Sequence, residues 1–231
     1  NVMELNVKDV DLRDSNVTLN AFKDGHRFGD DVEFDGDDNI FGSLEANAGT
    51  DIVFRNNAKV ETKDGDIVLN AKRDIKVRKA NAPSFIKSSH DIIFYASRIN
   101  IKDGTVVKAQ SSIDSSIDFN ANKVNLDGDL DAPNITGNAA TVYVNTDNKV
   151  NNEQIQDGVD VADSVSSGET APIVYVGPGT FNETVVVNKS VSIIGDETGT
   201  TTIQGTPGES SFDDYPNTRG IQIGNHPNSN D

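Results

Sequence analysis

Leu19-Asn20-Ala21 returns as Leu44-Glu45-Ala46, Leu69-Asn70-Ala71, Phe94-Tyr95-Ala96 and Phe119-Asn120-Ala121, always 25 residues on and without drift over five copies. Around the last three the match lengthens, into Asp66–Ile75, Asp91–Ile99 and Ser116–Val124, each reading apolar-x-apolar-x-Ala. That spacing is a period of two, in which alternate side chains leave opposite faces of an extended strand; the helical period is absent. Turn chemistry separates the strands at Lys63-Asp64-Gly65, Lys102-Asp103-Gly104 and Asp127-Gly128. A repeat of this length holding two or three short strands is one coil of a β-solenoid. Equivalent residues then stack about 4.8 Å apart, and five coils rise about 24 Å.

The repeat assigns an inward core ladder of Leu19, Leu44, Leu69, Phe94 and Phe119. A second, narrower one holds Ala21, Ala46, Ala71, Ala96 and Ala121. Asn70, Tyr95 and Asn120 point out. With 35% hydrophobic and 6% aromatic residues the core is thin, and one coil buries little apolar area against its conformational entropy. More coils, or assembly as a homotrimer, would supply the remainder and cover the open strand edges. The chain has no cysteine, so disulfides and thiolate chemistry are excluded and rigidity must come from backbone pairing or association.

The formal charge of -17 speaks against nucleic acid as a partner. No apolar run approaches the roughly 20 residues that span a bilayer, so no membrane insertion is expected. Residues 1–50 carry 4 basic and 12 acidic side chains, residues 51–150 carry 14 and 13, and residues 151–231 carry 2 and 12. An acidic, lysine-poor surface is what a high-salt environment favours; simple colloidal repulsion gives the same composition. A chain beginning Asn1-Val2-Met3 is expected to be a processed or partial product.

Strand alternation stops after about residue 130. Asn134-Ile-Thr-Gly-Asn-Ala-Ala-Thr141 resembles a short motif of tail fibres and tail spikes of tailed viruses, found where a shaft meets another module. Beyond it, Ile155, Val159 and Ala162 suit a short amphipathic helix started by Asn152 or Glu153. Ile173-Val-Tyr-Val-Gly-Pro-Gly-Thr-Phe-Asn-Glu-Thr-Val-Val-Val-Asn-Lys-Ser-Val-Ser-Ile-Ile-Gly195 and Thr201-Thr-Ile-Gln-Gly205 follow. Taken from the helix onward, this order resembles the N-terminal cap and first coils of pectate-lyase-like right-handed parallel β-helices, including pectin methylesterases. The resemblance implies that the helix covers the bare edge of a first coil, that a solenoid starts there, and that the sequence stops before the middle coils of such a fold. The repetitive shaft also resembles the coils of filamentous haemagglutinin-type adhesins.

The expected fold class is all-β, with a β-solenoid shaft at 1–130, a junction at 131–150 and the start of a β-helix at 151–231. Catalytic residues are not identified. Asp213, Asp214 and Arg219 form the sole cluster resembling acid, base and stabiliser, and His26, His90 and His226 lack the spacing of zinc or triad chemistry. The acidic run Asp30, Asp31, Glu33, Asp35, Asp37 and Asp38 offers hard oxygen ligands for Ca2+ or another structural cation. It is not an EF-hand, because a loop begun at Asp35 puts Ile40 at the required Gly and Ala46 at the required Glu. Apart from such a cation no cofactor is expected. Asn16, Asn134, Asn182 and Asn188 begin glycosylation acceptor triplets.

Three functions share this architecture. The leading expectation is a structural and adhesive virion fibre or spike of a virus infecting a halophilic host, on the virion surface. It would partner other virion or surface-assembly proteins and bind a host glycan, S-layer or other glycoprotein. A cell-surface filament or adhesin, and a polysaccharide-degrading β-helix enzyme with catalytic coils beyond residue 231, are the alternatives.

Overall fold

The structure, a computed structural model, describes residues 3–22, 30–55, 57–78, 84–110, 113–145, 154–164, 170–195, 197, 199–205 and 221–223. Apart from one helix, these residues form strands and the turns between them. The chain winds through β1 (Met3–Lys8) and β2 (Asp11–Ala21), then β3 (Asp30–Asp35) and β4 (Asn39–Ala48). Next come β5 (Asp51–Phe54), β6 (Lys59–Thr62), β7 (Ile67–Ala71), β8 (Asp74–Val77), β9 (Ser84–Ser88) and β10 (Ile92–Ile101). β11 (Thr105–Ala109), β12 (Ser116–Leu126), β13 (Asp129–Asp131), β14 (Asn134–Gly137) and β15 (Thr141–Val144) precede α1 (Gln154–Val161). The last strands are β16 (Ile173–Val176), β17 (Gly179–Asn182), β18 (Val185–Val187), β19 (Ser192–Gly195), β20 (Thr201–Gln204) and β21 (Ile221–Ile223).

Every pairing between named strands is parallel, and the strands stack into the faces of a β-solenoid. On the first face β1, β3, β5, β8, the second half of β10, the second half of β12, β15, β16 and β19 pair in that order. The second face takes the start of β2, the start of β4, β6, β9, β11 and β13. The third takes the end of β2, the end of β4, β7, the start of β10, the start of β12 and β14. The long strands β2, β4, β10 and β12 therefore bend round a corner and serve two faces each. At one turn Gly104 takes φ +71°, a conformation that favours glycine, and the Thr105 N–H bonds back to the Lys102 carbonyl.

The register corrects the inward ladders drawn from the sequence period. Leu19 lies on Ala46 and Ala21 on Ala48, while Ala46 lies on Leu69 and Leu44 on Ile67. From Leu69 on Phe94, and Phe94 on Phe119, the stack and the repeat coincide. Because the corners differ in length, the first step overshoots the sequence repeat by two positions and the second falls short of it by two. A slip of two is even, so each side chain keeps its face. Leu44, Leu69, Phe94, Phe119 and Ala46 are buried, as are Ala21, Ala71 and Ala121; Leu19 and Ala96 are half-buried. Phe94 and Phe119 stack with ring centroids 5.0 Å apart, and Phe34 and Phe54 at 4.9 Å form a second aromatic rung.

Residues 131–150, read as a junction, contribute β14 and β15 to these faces. The first face continues through β15 from β12 to β16, so the second segment continues the solenoid rather than starting a new one. Helix α1 does cover the edge of the coil that follows, at β18, but its other end meets the coil below. The Ala139 N–H donates to the Val161 carbonyl and the Asp163 N–H to the Ala139 carbonyl. The helix thus closes the third face of the shaft and opens that of the next coils. Ile155, Val159 and Ala162 are buried, as their spacing predicts. Gly158 is required by close approach, since a Cβ there would lie 2.6 Å from Val144 Cγ2. The expected start at Asn152 or Glu153 lies outside the described residues.

Candidate interaction faces

A solenoid of in-register parallel strands turns every second residue outward and stacks it on its counterpart in the next coil. Sequence is thereby converted into columns of side chains about 4.8 Å apart. Two faces carry columns of distinct chemistry.

On the first face one column runs Asp51, Asp74, Arg98, Lys123, Thr141 and Ile173. Its neighbour runs Asn6, Glu33, Val53, Lys76, Asn100, Asn125, Tyr143, Tyr175 and Ile194. The face is graded from carboxylates through ion pairs to aromatic and aliphatic groups. Stacked carboxylates repel, and cations from the following coil neutralise them. Arg55 pairs with Glu33, Arg73 grips Asp51 through two bonds of 2.8 and 2.7 Å, and Arg98 grips Asp74 through two of 2.7 and 2.8 Å. Lys76 bridges Asp51 and Asp74. Burial alone would raise the Asp51 and Asp74 carboxyls. Hydrogen bonds from Arg73 and Lys76 to Asp51, and from Arg98 and Lys76 to Asp74, outweigh it and hold both below the usual carboxylate range. Glu4 is shifted the other way, by its hydrogen bond to Glu33 and the repulsion between the two. Further along, Tyr143 and Tyr175 stack at 4.9 Å with the Lys123 ammonium 4.1 Å from the Tyr143 centroid.

The third face is flatter in chemistry. Its outward column reads Asn20, Asn47, Asn70, Tyr95, Asn120 and Asn138. Asn47 donates to Asn20 at 2.9 Å, Asn70 to Asn47 at 2.8 Å and Asn138 to Asn120 at 3.0 Å. The column beside it passes from Glu45 through Val68, Ile93 and Asp118 to Thr136. Neither column was singled out by the sequence reading, which had only the outward direction of Asn70, Tyr95 and Asn120. The signal was present as the middle residue of each Leu-x-Ala or Phe-x-Ala triplet.

The acidic run does not converge. Asp30 is buried at the start of β3, and alternation carries Asp31, Glu33 and Asp35 to the opposite side. Asp31 accepts the Asp51 N–H at 3.0 Å, Glu33 is taken by Arg55, and Asp35 accepts the Gly36 N–H at 2.8 Å. Asp37 and Asp38 are exposed in the turn after β3. Among the described residues no group of three or more His, Asp or Glu side chains is placed to hold a metal ion. An extended strand disperses the carboxylates that a chelating loop would gather.

Asn16, Asn134, Asn182 and Asn188 are all exposed. Asn16 accepts the Ser43 hydroxyl proton at 2.9 Å, and the Asn134 amide donates to the Ile113 and Ser115 carbonyls at 3.1 and 3.3 Å. His90 is exposed beside Ser89. His26, His226, Asp213, Asp214 and Arg219 lie outside the described residues. No helix among the described residues is long and apolar enough to cross a membrane.

Comparison with protein-family models, with curated proteins and with solved structures finds no match to this chain.

Proposed function

We propose that this chain is a structural and adhesive module of an extracellular fibre or spike, attaching to a glycan or glycoprotein of a cell surface. The observation that carries this reading is the outward amide column of the third face. It repeats one hydrogen-bonding group at the coil spacing along a stack held by continuous backbone pairing. Such a face is fixed in geometry before it meets a partner, so binding costs little ordering entropy. It also offers many equivalent weak contacts to a partner that is itself repetitive. Assembly as a homotrimer multiplies those contacts by effective concentration. A virion fibre or spike on a halophilic host is the setting that agrees with the charge of -17 and with the Asn134–Thr141 motif.

The test is light scattering coupled to size exclusion in high salt, followed by retention on immobilised glycans and glycoproteins. A mass near three times 24.8 kDa, with slow release from at least one surface, is the expected result. A monomer overturns the trimer, and no retention on any glycan or glycoprotein surface overturns the adhesive reading.

A further inference from the structure

We infer that Val68, Ile93 and Tyr95 form the sugar-stacking site of the third face, and that its ligand is an uncharged glycan. This rests on the adhesive reading above and names the ligand class and the residues.

Tyr95 is the one aromatic residue in the described amide column, and it stands between Asn70 and Asn120. Its presence divides the ladder into two bonded halves, Asn20–Asn47–Asn70 and Asn120–Asn138. An amide at this rung would join them. Asn70 instead spends its amide N–H on Asn47, and its own carbonyl oxygen accepts no bond among the described residues. Asn120 turns within its strand to donate to Asp118 at 2.8 Å. Tyr95 meanwhile is 45% exposed. The fold therefore loses two ladder bonds and leaves a large aromatic surface in water at one chosen rung.

What surrounds the ring gives that exposure a use. Ile93 and Val68, half-buried outward residues of the adjacent column, extend the ring into an apolar island. Amides of Asn47, Asn70 and Asn120 and carboxylates of Glu45 and Asp118 border it. A pyranose has the complementary form: its C–H groups gather on one face, where they can lie against an aromatic ring, and its hydroxyls radiate from the rim. Amides give and receive hydrogen bonds and carboxylates receive them, which together satisfy a hydroxyl in both of its roles. The rung spacing of about 4.8 Å is close to the length of one sugar unit, so successive rungs meet successive units of a chain. Charge selects further. Glu45, Asp91 and Asp118 lie on this face, and of the two cations at the corner after β7, Lys72 sits over the Phe22 ring at 5.5 Å while Arg73 grips Asp51 on the first face. An anionic sugar meets like charge here and a neutral one does not.

The experiment compares the full chain with its Tyr95→Asn and Tyr95→Phe variants by calorimetric titration and thermal unfolding. The probes are neutral malto-, cello-, laminari- and xylo-hexaoses, with oligogalacturonate as the anionic counterpart. The wild-type chain is expected to bind at least one neutral series and to prefer it to oligogalacturonate. Tyr95→Asn is expected to lose about tenfold or more in affinity while melting at the same or a higher temperature, because the amide completes the ladder. Tyr95→Phe keeps the ring and stays within about threefold. Equal binding by wild type and Tyr95→Asn overturns this site while leaving the adhesive reading in place. Preference for oligogalacturonate overturns the neutral ligand class. A lower melting temperature for Tyr95→Asn makes the ring a packing element and also overturns the proposal. Retention on a glycoprotein that survives deglycosylation, with no hexaose bound, overturns the sugar site alone. Absence of binding to every glycan and glycoprotein surface overturns both readings.

Discussion

Phe119 shows how much rests on single side chains in so thin a core. Its ring is fully buried and stacked on Phe94 at 5.0 Å. Truncation to alanine removes both transfer energy and a stacking partner, and neighbours held by backbone pairing cannot collapse into the space. Phe119→Ala is therefore expected to lower stability by about 3–4 kcal/mol, read from urea unfolding with an unchanged slope against denaturant. The inward direction of this residue was legible from alternation alone. Stacking partners in the earlier coils were legible only in part: Leu44 stacks on Ile67, not on Leu69, because corner length shifts the register without disturbing the alternation. Glu33 illustrates the opposite failure. Within an acidic run it reads as a metal ligand, yet the guanidinium of Arg55, one coil further on, takes its carboxylate. No local pattern marks that pairing.

Helix α1 depends on groups far from it in sequence. The Glu183 carboxylate, 2% exposed, accepts the N–H groups of Ile155 and Gln156 at 3.0 and 2.9 Å. At the other end the Lys189 ammonium donates to the carbonyls of Asp160 and Ala162 at 3.1 and 2.6 Å. Negative charge thus meets the positive end of the helix and positive charge its negative end, and the orphaned end groups find partners. Gln156 adds a further tie, receiving the Val186 N–H at 2.7 Å. The segment flanking β18 therefore brackets the helix, which at eight residues is too short to persist in water alone. Glu183→Gln is expected to cost about 1–2 kcal/mol and Lys189→Met about 1 kcal/mol. Hydrogen exchange should quicken at the Ile155 and Gln156 amides in the first variant, while those of β10 and β12 keep their protection. Unchanged exchange at both amides would show that the carboxylate does not hold the helix. The apolar spacing made the helix readable; its clasp was not, because Glu183, Val186 and Lys189 lie more than a coil away along the chain.

Across the whole molecule the first face works as an electrostatic ladder, and its response to acid follows from the direction of the shifts. The Asp51 and Asp74 carboxyls are held below their ordinary value of 3.8 in the folded chain. As pH falls the unfolded chain takes up their protons first, so their stabilising contribution is complete above about pH 4 and is lost as pH drops through the folded values. Glu4, raised by Glu33, has the opposite sign, and its repulsion is relieved as it takes a proton. The melting temperature is expected to be level from about pH 7 to 5 and to fall below about pH 4. Asp74→Asn should destabilise the fold at neutral pH, by about 2 kcal/mol, and shrink the acid fall. An unaltered acid profile in that variant would remove Asp74 from the ladder.

What the amino-acid sequence determined unaided is the kind of object this is. An alternation of two, repeated at a constant interval and punctuated by turns, has no other compact solution than stacked parallel coils, because only stacking buries the same alternate residues in every copy. Face assignment follows, since a slip of two leaves it intact. The tertiary structure alone decided the rest: which rung lies on which, that one face runs unbroken past the helix, that cations of one coil meet carboxylates of the coil before, and that Tyr95 interrupts an amide ladder. Each of these depends on the lengths of corners and on contacts between residues about one coil apart. Periodicity fixes the direction of a side chain, but only the closed path of the backbone fixes its neighbours.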